Sequence, residues 1–310
     1  MAERPRVSVV VLSHNRPEEL SEALASVVAQ TVRDREILVV DNPSPSSERI
    51  AAIVAAVPEA RLISTPGNLG FAGGINVGWR AARGRFVYLS EDDILLEPDC
   101  VERLLAFAEG EPGCGMCAGP IYDRADGRLL SAGGEVALRG VFRATLRGRG
   151  ERDTGQFAAE VDVQWLPAGA ALARRDVLEL LGGFRDEFFM YFEDVEICLR
   201  IRALGFRVCF VPGASVRHIP ARETAASPPD VEFHKLKNLY VLYALHAAAS
   251  AWPAFAARYG AWEGLRSLGT SRARLWLHLR AWGWVLARLP RLLGERRVLR
   301  QVERDGEGGR

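Results

Sequence analysis

Apolar residues near the amino terminus fall into short runs separated by polar punctuation. Val7 to Leu12 is a β-branched run ending at Ser13-His14-Asn15-Arg16, and it predicts a buried strand. Pro17 opens the next segment, where Leu20, Ala23, Leu24, Val27 and Val28 recur at helical spacing. Glu36 to Val40 predicts a second strand, stopped by Asp41-Asn42-Pro43-Ser44-Pro45, and Glu48 to Val57 a second helix. Arg61 to Ser64, Gly73 to Ala82 and Phe86 to Leu89 continue as strand, helix and strand. The alternation predicts an α/β fold with a Rossmann-like, mostly parallel sheet flanked by helices. Functional groups then collect beyond the carboxyl ends of the strands, at Ser13 to Arg16, Asp41-Asn42 and Ser90 to Asp93.

The pattern changes further along. Pro98 starts another helix, after which residues 114–173 are richer in glycine and short strands and read as an irregular, substrate-facing half. From Phe184 an aromatic stretch leads into a helix from about Asp194 to Leu204, ended by Gly205, and a strand at Arg207 to Val211. Residues 232–300 read as helical.

Composition bears on this picture in a few places. With 310 residues, 48% of them hydrophobic and 25% charged, the chain can bury one large core and carry an appendage. A net charge of +1 argues against a dedicated nucleic-acid binder. The balance is uneven, because residues 258–310 hold 12 arginines against 5 acidic residues. Trp262, Trp276, Trp282 and Trp284 are interspersed with those arginines, a composition suited to an anionic membrane surface or to an amphipathic cap on the main domain. Asn238 to Ala257 has no Asp, Glu, Lys or Arg, yet its His246, Ser250 and Pro253 favour a buried or interfacial helix over a bilayer span. Five cysteines, mostly in apolar contexts, suit reduced thiols, and the Cys114/Cys117 pair has no second pair to complete a zinc site. Met1-Ala-Glu-Arg-Pro-Arg runs into the first strand without an apolar signal core, which predicts a cytoplasmic location.

Several constellations carry chemistry. Glu91, Asp92 and Asp93 follow a strand, and consecutive carboxylates repel unless a cation offsets them; the alternative is an exposed acidic turn before the Pro98 helix. A divalent ion there, Mn²⁺ or Mg²⁺, could bridge diphosphate oxygens and stabilise their charge as a leaving group. Gly67 to Asn76 is a glycine-rich turn running into a helix, suited to anionic ligands, although its spacing matches neither a dinucleotide fingerprint nor a P-loop. Glu193 and Asp194 follow the aromatics Phe188 to Phe192, either as helix-start carboxylates or as a general base in a partly apolar pocket. His218 follows a strand, structural on its own and a metal ligand in acidic company.

Taken in order, these motifs resemble family 2 glycosyltransferases of the GT-A fold, especially the rhamnosyltransferase-like branch, over roughly residues 6–220. V-S-V-V-V-L-S-H-N-R (7–16) and V-V-D-N (39–42) are similar to the family's nucleotide-binding runs. N-L-G-F-A-G-G-I-N-V-G (68–78) looks like the branch signature and is the most specific piece. The resemblance implies nucleotide-sugar binding by Ser13, His14, Asn15, Arg16, Asp41, Asn42, Asn68, Gly73, Gly74, Asn76 and Asp92. It implies a divalent-metal site at Asp93, Glu91 and His218, with Glu91 where the family's D-x-D motif has its first Asp. G-G-F-R-D-E-F-F-M-Y-F-E-D-V-E (182–196) is similar to the acceptor-side segment, implying Asp194 as catalytic base with Glu193 beside it.

The expected organisation is a catalytic domain at 1–225, with a nucleotide-sugar half at about 1–113 and an acceptor half at about 114–225. A helical, basic, Trp-rich extension follows at 226–310. The expected activity is inverting transfer from dTDP-rhamnose or a UDP-sugar to a hydroxyl of a glycan or lipid-linked acceptor in cell-surface polysaccharide synthesis, with possible attachment to the inner face of the plasma membrane. The rivals are a sugar-nucleotide nucleotidyltransferase, whose glycine-rich loop after the first strand is missing here, and a non-catalytic glycan-binding relic in which Glu91 marks metal loss.

Overall fold

The computed structural model describes residues 4–139, 142–219, 229–262, 266 and 272–307. The amino-terminal alternation is present as β1 (Val7–Ser13), α1 (Pro17–Val28), β2 (Arg35–Asp41), α2 (Ser47–Ala55), β3 (Ala60–Ser64), α3 (Gly70–Ala81) and β4 (Phe86–Glu91). Strands β1, β2, β3 and β4 are parallel, with β1 between β2 and β4, so Ser13, Asp41 and Glu91 finish neighbouring strands at one sheet edge. All seven residues of β1 are buried, which is why its pattern is a continuous apolar run.

Next come β5 (Ile94–Leu96), α4 (Cys100–Gly110), β6 (Cys114–Ala118), β7 (Ile121–Asp123), β8 (Leu129–Ser131), β9 (Gly134–Ala137), β10 (Arg143–Leu146), β11 (Val161–Asp162) and β12 (Ala170–Arg174). They are followed by α5 (Arg175–Leu181), α6 (Glu193–Ala203), β13 (Arg207–Phe210) and β14 (Val216–His218). The large sheet has eight strands in the order β11-β13-β6-β12-β4-β1-β2-β3, and β5-β14-β7-β8 form a smaller one. Residues 114–173 are therefore less irregular than their composition predicts. They supply β6 and β12 to the middle of the large sheet, and β12 runs antiparallel to both neighbours. These strands read Cys-Gly-Met-Cys-Ala and Ala-Ala-Leu-Ala-Arg, without the β-branched residues that would have announced them.

Helix α3 starts at Gly70, earlier than the expected Gly73. A Cβ at Gly74 would run into Leu12, and one at Gly78 into Val10, so these glycines let α3 lie directly on β1.

The carboxyl-terminal part comprises α7 (Pro229–His246), α8 (Trp252–Phe255), α9 (Arg272–Leu286) and α10 (Leu289–Glu307). The expected boundary at 225/226 lies outside the described residues. Leu239 to Leu245 of α7 are buried in the same apolar core as one face of the large sheet. Rings of Tyr243 and Phe255 stack at 4.0 Å, and those of Tyr240 and Trp282 at 4.6 Å. Among the described residues no helix is long and apolar enough to cross a membrane. The five cysteines are buried and unpaired.

Candidate active site

The loops beyond β1, β2 and β3 are braced by their own polar groups. Exposed His14 places Nδ1 2.9 Å from the carbonyl oxygen of Asn42 and Nε2 3.3 Å from the Asn68 amide nitrogen. Asn15, left-handed at φ 59°, accepts a hydrogen bond from Ser46 Oγ at 3.0 Å. Asn42 is buried, donates to the Gly70 carbonyl at 2.9 Å and accepts from Thr65 Oγ1 at 3.2 Å. Asp41 is buried beside it with Oδ1 lacking any partner within the chain. Gly73 and Gly74 are buried inside α3, their missing Cβ atoms facing Leu69 and Leu12, so their visible work is packing. Asn76 is also interior: its amide donates to the Phe184 carbonyl (2.7 Å) and to Asp186 (2.6 Å), and accepts from Trp79 Nε1 (2.7 Å). It ties α3 to the segment that leads into α6.

The carboxylates at the end of β4 divide their tasks. Asp92 Oδ2 accepts from Ser13 Oγ and the His14 backbone N–H, both at 2.9 Å, and so fastens the end of β1. Asp93 pairs with Arg16 through Oδ2 and lies 3.5 Å from His218 Nε2, while its Oδ1 is buried without a partner. Glu91 packs against Gly169, where a Cβ would collide with its carboxylate. Burial, then the charges of Asp93 and Asp92, push Glu91 up to about 8. Burial also raises Asp92 to about 6, with the His14 N–H pulling the other way. Burial works to raise Asp93 as well, but His218 and Arg16 outweigh it and hold the carboxyl below its usual range.

A cleft of about 480 Å³ brings this group together with the first turn of α6. Arg16, Glu91, Asp93, His218, Glu193 and Asp194 all line it, with Trp165 and the 190–192 segment among the remaining lining. Glu193 and Asp194 occupy the first turn of α6, where the helix dipole favours negative charge. Burial, then the Asp194 charge, lift Glu193 well above the carboxylate range, and burial raises Asp194 to about 6. Asp194 is thus the less strongly raised member of the pair. Trp165 and Gly169 escaped the sequence reading; the Trp-Leu-Pro-Ala-Gly segment that carries them has no charged residue to draw attention to it.

Among the described residues no group of three or more His, Cys, Asp and Glu side chains is arranged to hold a metal ion. The chain offers a partial shell instead: the orphaned Asp93 Oδ1, the His218 imidazole and a carboxyl at Glu91 that burial and then the crowding of neighbouring anions push up to about 8. A cation would relieve that crowding, and diphosphate oxygens would supply further ligands, so the residues fit a metal held jointly with a substrate.

Comparison with known proteins places the chain. The pattern described as "Glycosyl transferase family 2" matches residues 8–182. The chain belongs to that family. It is 28% identical over 257 residues to the N-acetylglucosaminyl-diphospho-decaprenol L-rhamnosyltransferase of Mycobacterium tuberculosis, covering 76% of this chain and 83% of that one. It is 24% identical over 265 residues to galactofuranosyltransferase GlfT2 of the same organism, covering 77% of this chain but 41% of the longer relative. The crystal structure of GalNAc-T7 with UDP, GalNAc and Mn²⁺ superposes with a TM-score of 0.64 at 16% identity, over 83% of this chain and 51% of that one. The fold is GT-A, and this family 2 member, on the rhamnosyltransferase-like side, is a glycosyltransferase.

Proposed function

We propose that the chain is an inverting glycosyltransferase of cell-surface polysaccharide synthesis, moving a sugar from a nucleoside-diphosphate sugar, dTDP-rhamnose first and a UDP-sugar second, to a hydroxyl of a glycan or lipid-linked acceptor. The observation that carries this reading is the shared cleft, lined by Asp93, His218 and Asp194 together. The relative that acts on a decaprenol-linked sugar supports the acceptor class. His14, Asn15, Arg16 and Asn68 rim the donor side, while the unpartnered Asp41 Oδ1 suits the ring N–H of a uracil or thymine base. Asp93, His218 and Glu91 would hold a divalent cation, and such an ion would supply charge stabilisation to a diphosphate leaving group. Asp194 accepts the proton of the acceptor hydroxyl as its oxygen attacks the anomeric carbon from the face opposite the leaving group, so one displacement inverts the configuration.

A thermal-shift panel of dTDP- and UDP-sugars with and without Mn²⁺ tests the donor site. A ligand specific for the folded state, supplied at about 100 times its Kd, raises stability by about 2.7 kcal/mol. The expected result is a Mn²⁺-dependent shift with one nucleotide that disappears in Asp93→Ala. Folded protein that shifts with no nucleotide overturns the donor assignment.

The same reading extends to attachment at a membrane surface. Trp276, Leu279 and Leu286 of α9 are 58%, 61% and 56% exposed, and no acidic residue lies between Glu263 and Glu295. An exposed apolar stripe on a helix bearing arginines fits anionic lipid. Trp276→Ser with Leu279→Ser is expected to weaken binding to phosphatidylglycerol vesicles by about tenfold or more, as read by co-sedimentation. Equal binding of the variant, or equal binding of the wild type to phosphatidylcholine, removes the proposal.

A further inference from the structure

Three residues just ahead of the Glu193–Asp194 pair have left-handed backbone without being glycine: Phe189 at φ 64°, Tyr191 at φ 67° and Phe192 at φ 68°. Each such residue costs on the order of 1–3 kcal/mol and persists only where its surroundings hold it. Phe192 is the residue on which α6 begins, so the path of 188–192 sets where the first turn of α6, with both carboxylates, enters the cleft.

What holds that path comes from the carboxyl-terminal extension. Asn238 of α7 is fully buried, and its Nδ2 lies 2.9, 2.9 and 2.7 Å from the carbonyl oxygens of Phe188, Met190 and Tyr191. Three acceptors around one end of the side chain fix that end as the nitrogen. Its Oδ1 is buried without a partner, an arrangement that costs about 1–3 kcal/mol and that stability alone would not favour. The adjacent Lys237, buried beneath the Trp284 ring at 5.0 Å, donates to the Glu187 carbonyl oxygen. From the opposite side the Ala72 N–H donates to the Phe189 carbonyl at 3.2 Å, and Gly70 leaves room for that carbonyl because a Cβ would collide with it. The strap is therefore gripped between α3 of the donor side and α7 of the extension. Helix α7 is itself fixed: Arg296 of α10 donates to the Ala244 carbonyl at 3.1 Å, and His246 reaches Glu196 of α6 at 3.3 Å.

We infer that Asn238 is a positioning residue for the Glu193–Asp194 pair, acting by holding residues 188–192 in their left-handed path, so that the extension is a working part of the acceptor side. The inference rests on the reading of that pair as the acceptor base.

The test uses the full chain with Asn238→Leu, which keeps the size but has no donor, and Asn238→Ala, which carries the same comparison where the Leu variant does not fold. Amide hydrogen exchange across 188–196 is expected to speed up while β1 and β4 keep their protection. The kcat for sugar transfer is expected to fall about 100-fold, as for a reacting group displaced by about 1 Å, with nucleotide affinity unchanged. Adding Phe189→Gly is expected to restore part of the lost kcat, because glycine takes the left-handed conformation without the penalty. Wild-type exchange across 188–196 in a folded variant overturns the inference. So does a parallel fall of kcat and nucleotide affinity, which is the mark of general loosening. A wild-type chain that transfers no sugar defeats the proposed function instead, and exchange still decides whether Asn238 holds the strap.

Discussion

Asp194→Asn is expected to lower kcat by about 10²–10⁴-fold, the usual contribution of a positioned general base, with the metal-dependent binding of nucleotide intact. The asymmetry within the acidic pair makes this specific. Glu193, almost wholly buried and beside the Asp194 charge, is held well above the carboxylate range. Asp194, raised to about 6, is less strongly shifted and can accept a proton near pH 7. A base works only when deprotonated, so wild-type kcat should fall as the pH drops through about 6, and that limb should vanish from the residual rate of Asp194→Asn. Glu193→Gln leaves that base in place and should cost far less. Steady-state rates across pH 5–8 decide the matter, and the reverse ranking of the two variants would transfer the role to Glu193.

The residues that sequence alone picks out are those whose chemistry is carried by their type. The Val7 to Leu12 run announces β1, the Ser13 to Arg16, Asp41-Asn42 and Glu91 to Asp93 groups sit at adjacent strand ends, and the structure brings His218 to Asp93 across 125 chain positions through the pairing of β14 with β5. The expected strands and helices from Val7 to Leu89 all appear, within a few residues at each end. Legibility fails where a residue works through shape or through a distant contact. Nothing in Cys-Gly-Met-Cys-Ala predicts a central strand, because small residues pack well on both faces of a sheet but have weak intrinsic preference for it. Gly73 and Gly74 suggest ligand approach in sequence, and in the fold they let a helix touch a strand. Asn76 joins α3 to the 184–186 segment, a contact between residues more than 100 positions apart that no local pattern contains. Asn238 and Lys237 lie in a stretch whose composition speaks only of helix, and their partners are backbone carbonyls, which every sequence has.

Glu196→Gln is expected to destabilise the fold by about 3–5 kcal/mol, the cost of breaking a buried ionic network by removing one member. Glu196 is wholly buried in α6 and pairs with Arg200 at 2.8 Å, Arg185 at 3.0 Å and His246 of α7 at 3.3 Å. Arg185 continues to Glu295 of α10 at 2.5 Å, so one carboxylate binds the helix carrying Asp194 to two helices of the extension. Burial opposes the charge of Glu196, yet Arg200, His246 and Arg185 more than offset it and hold the carboxyl well below its usual range. A depressed folded-state pKa adds stability that is fully present above the unfolded value of about 4.3 and is lost as the pH falls through the folded one. Urea unfolding of wild type and Glu196→Gln should therefore show its full difference at pH 7 and an undiminished one at pH 5, narrowing only in stronger acid. A difference already shrinking between pH 7 and pH 5 would mean that Arg200, His246 and Arg185 do not hold Glu196 ionised in the folded chain. Because the same carboxylate steadies α6, a folded Glu196→Gln should also lose kcat before it loses nucleotide binding, the pattern expected of a support on the acceptor wall alone.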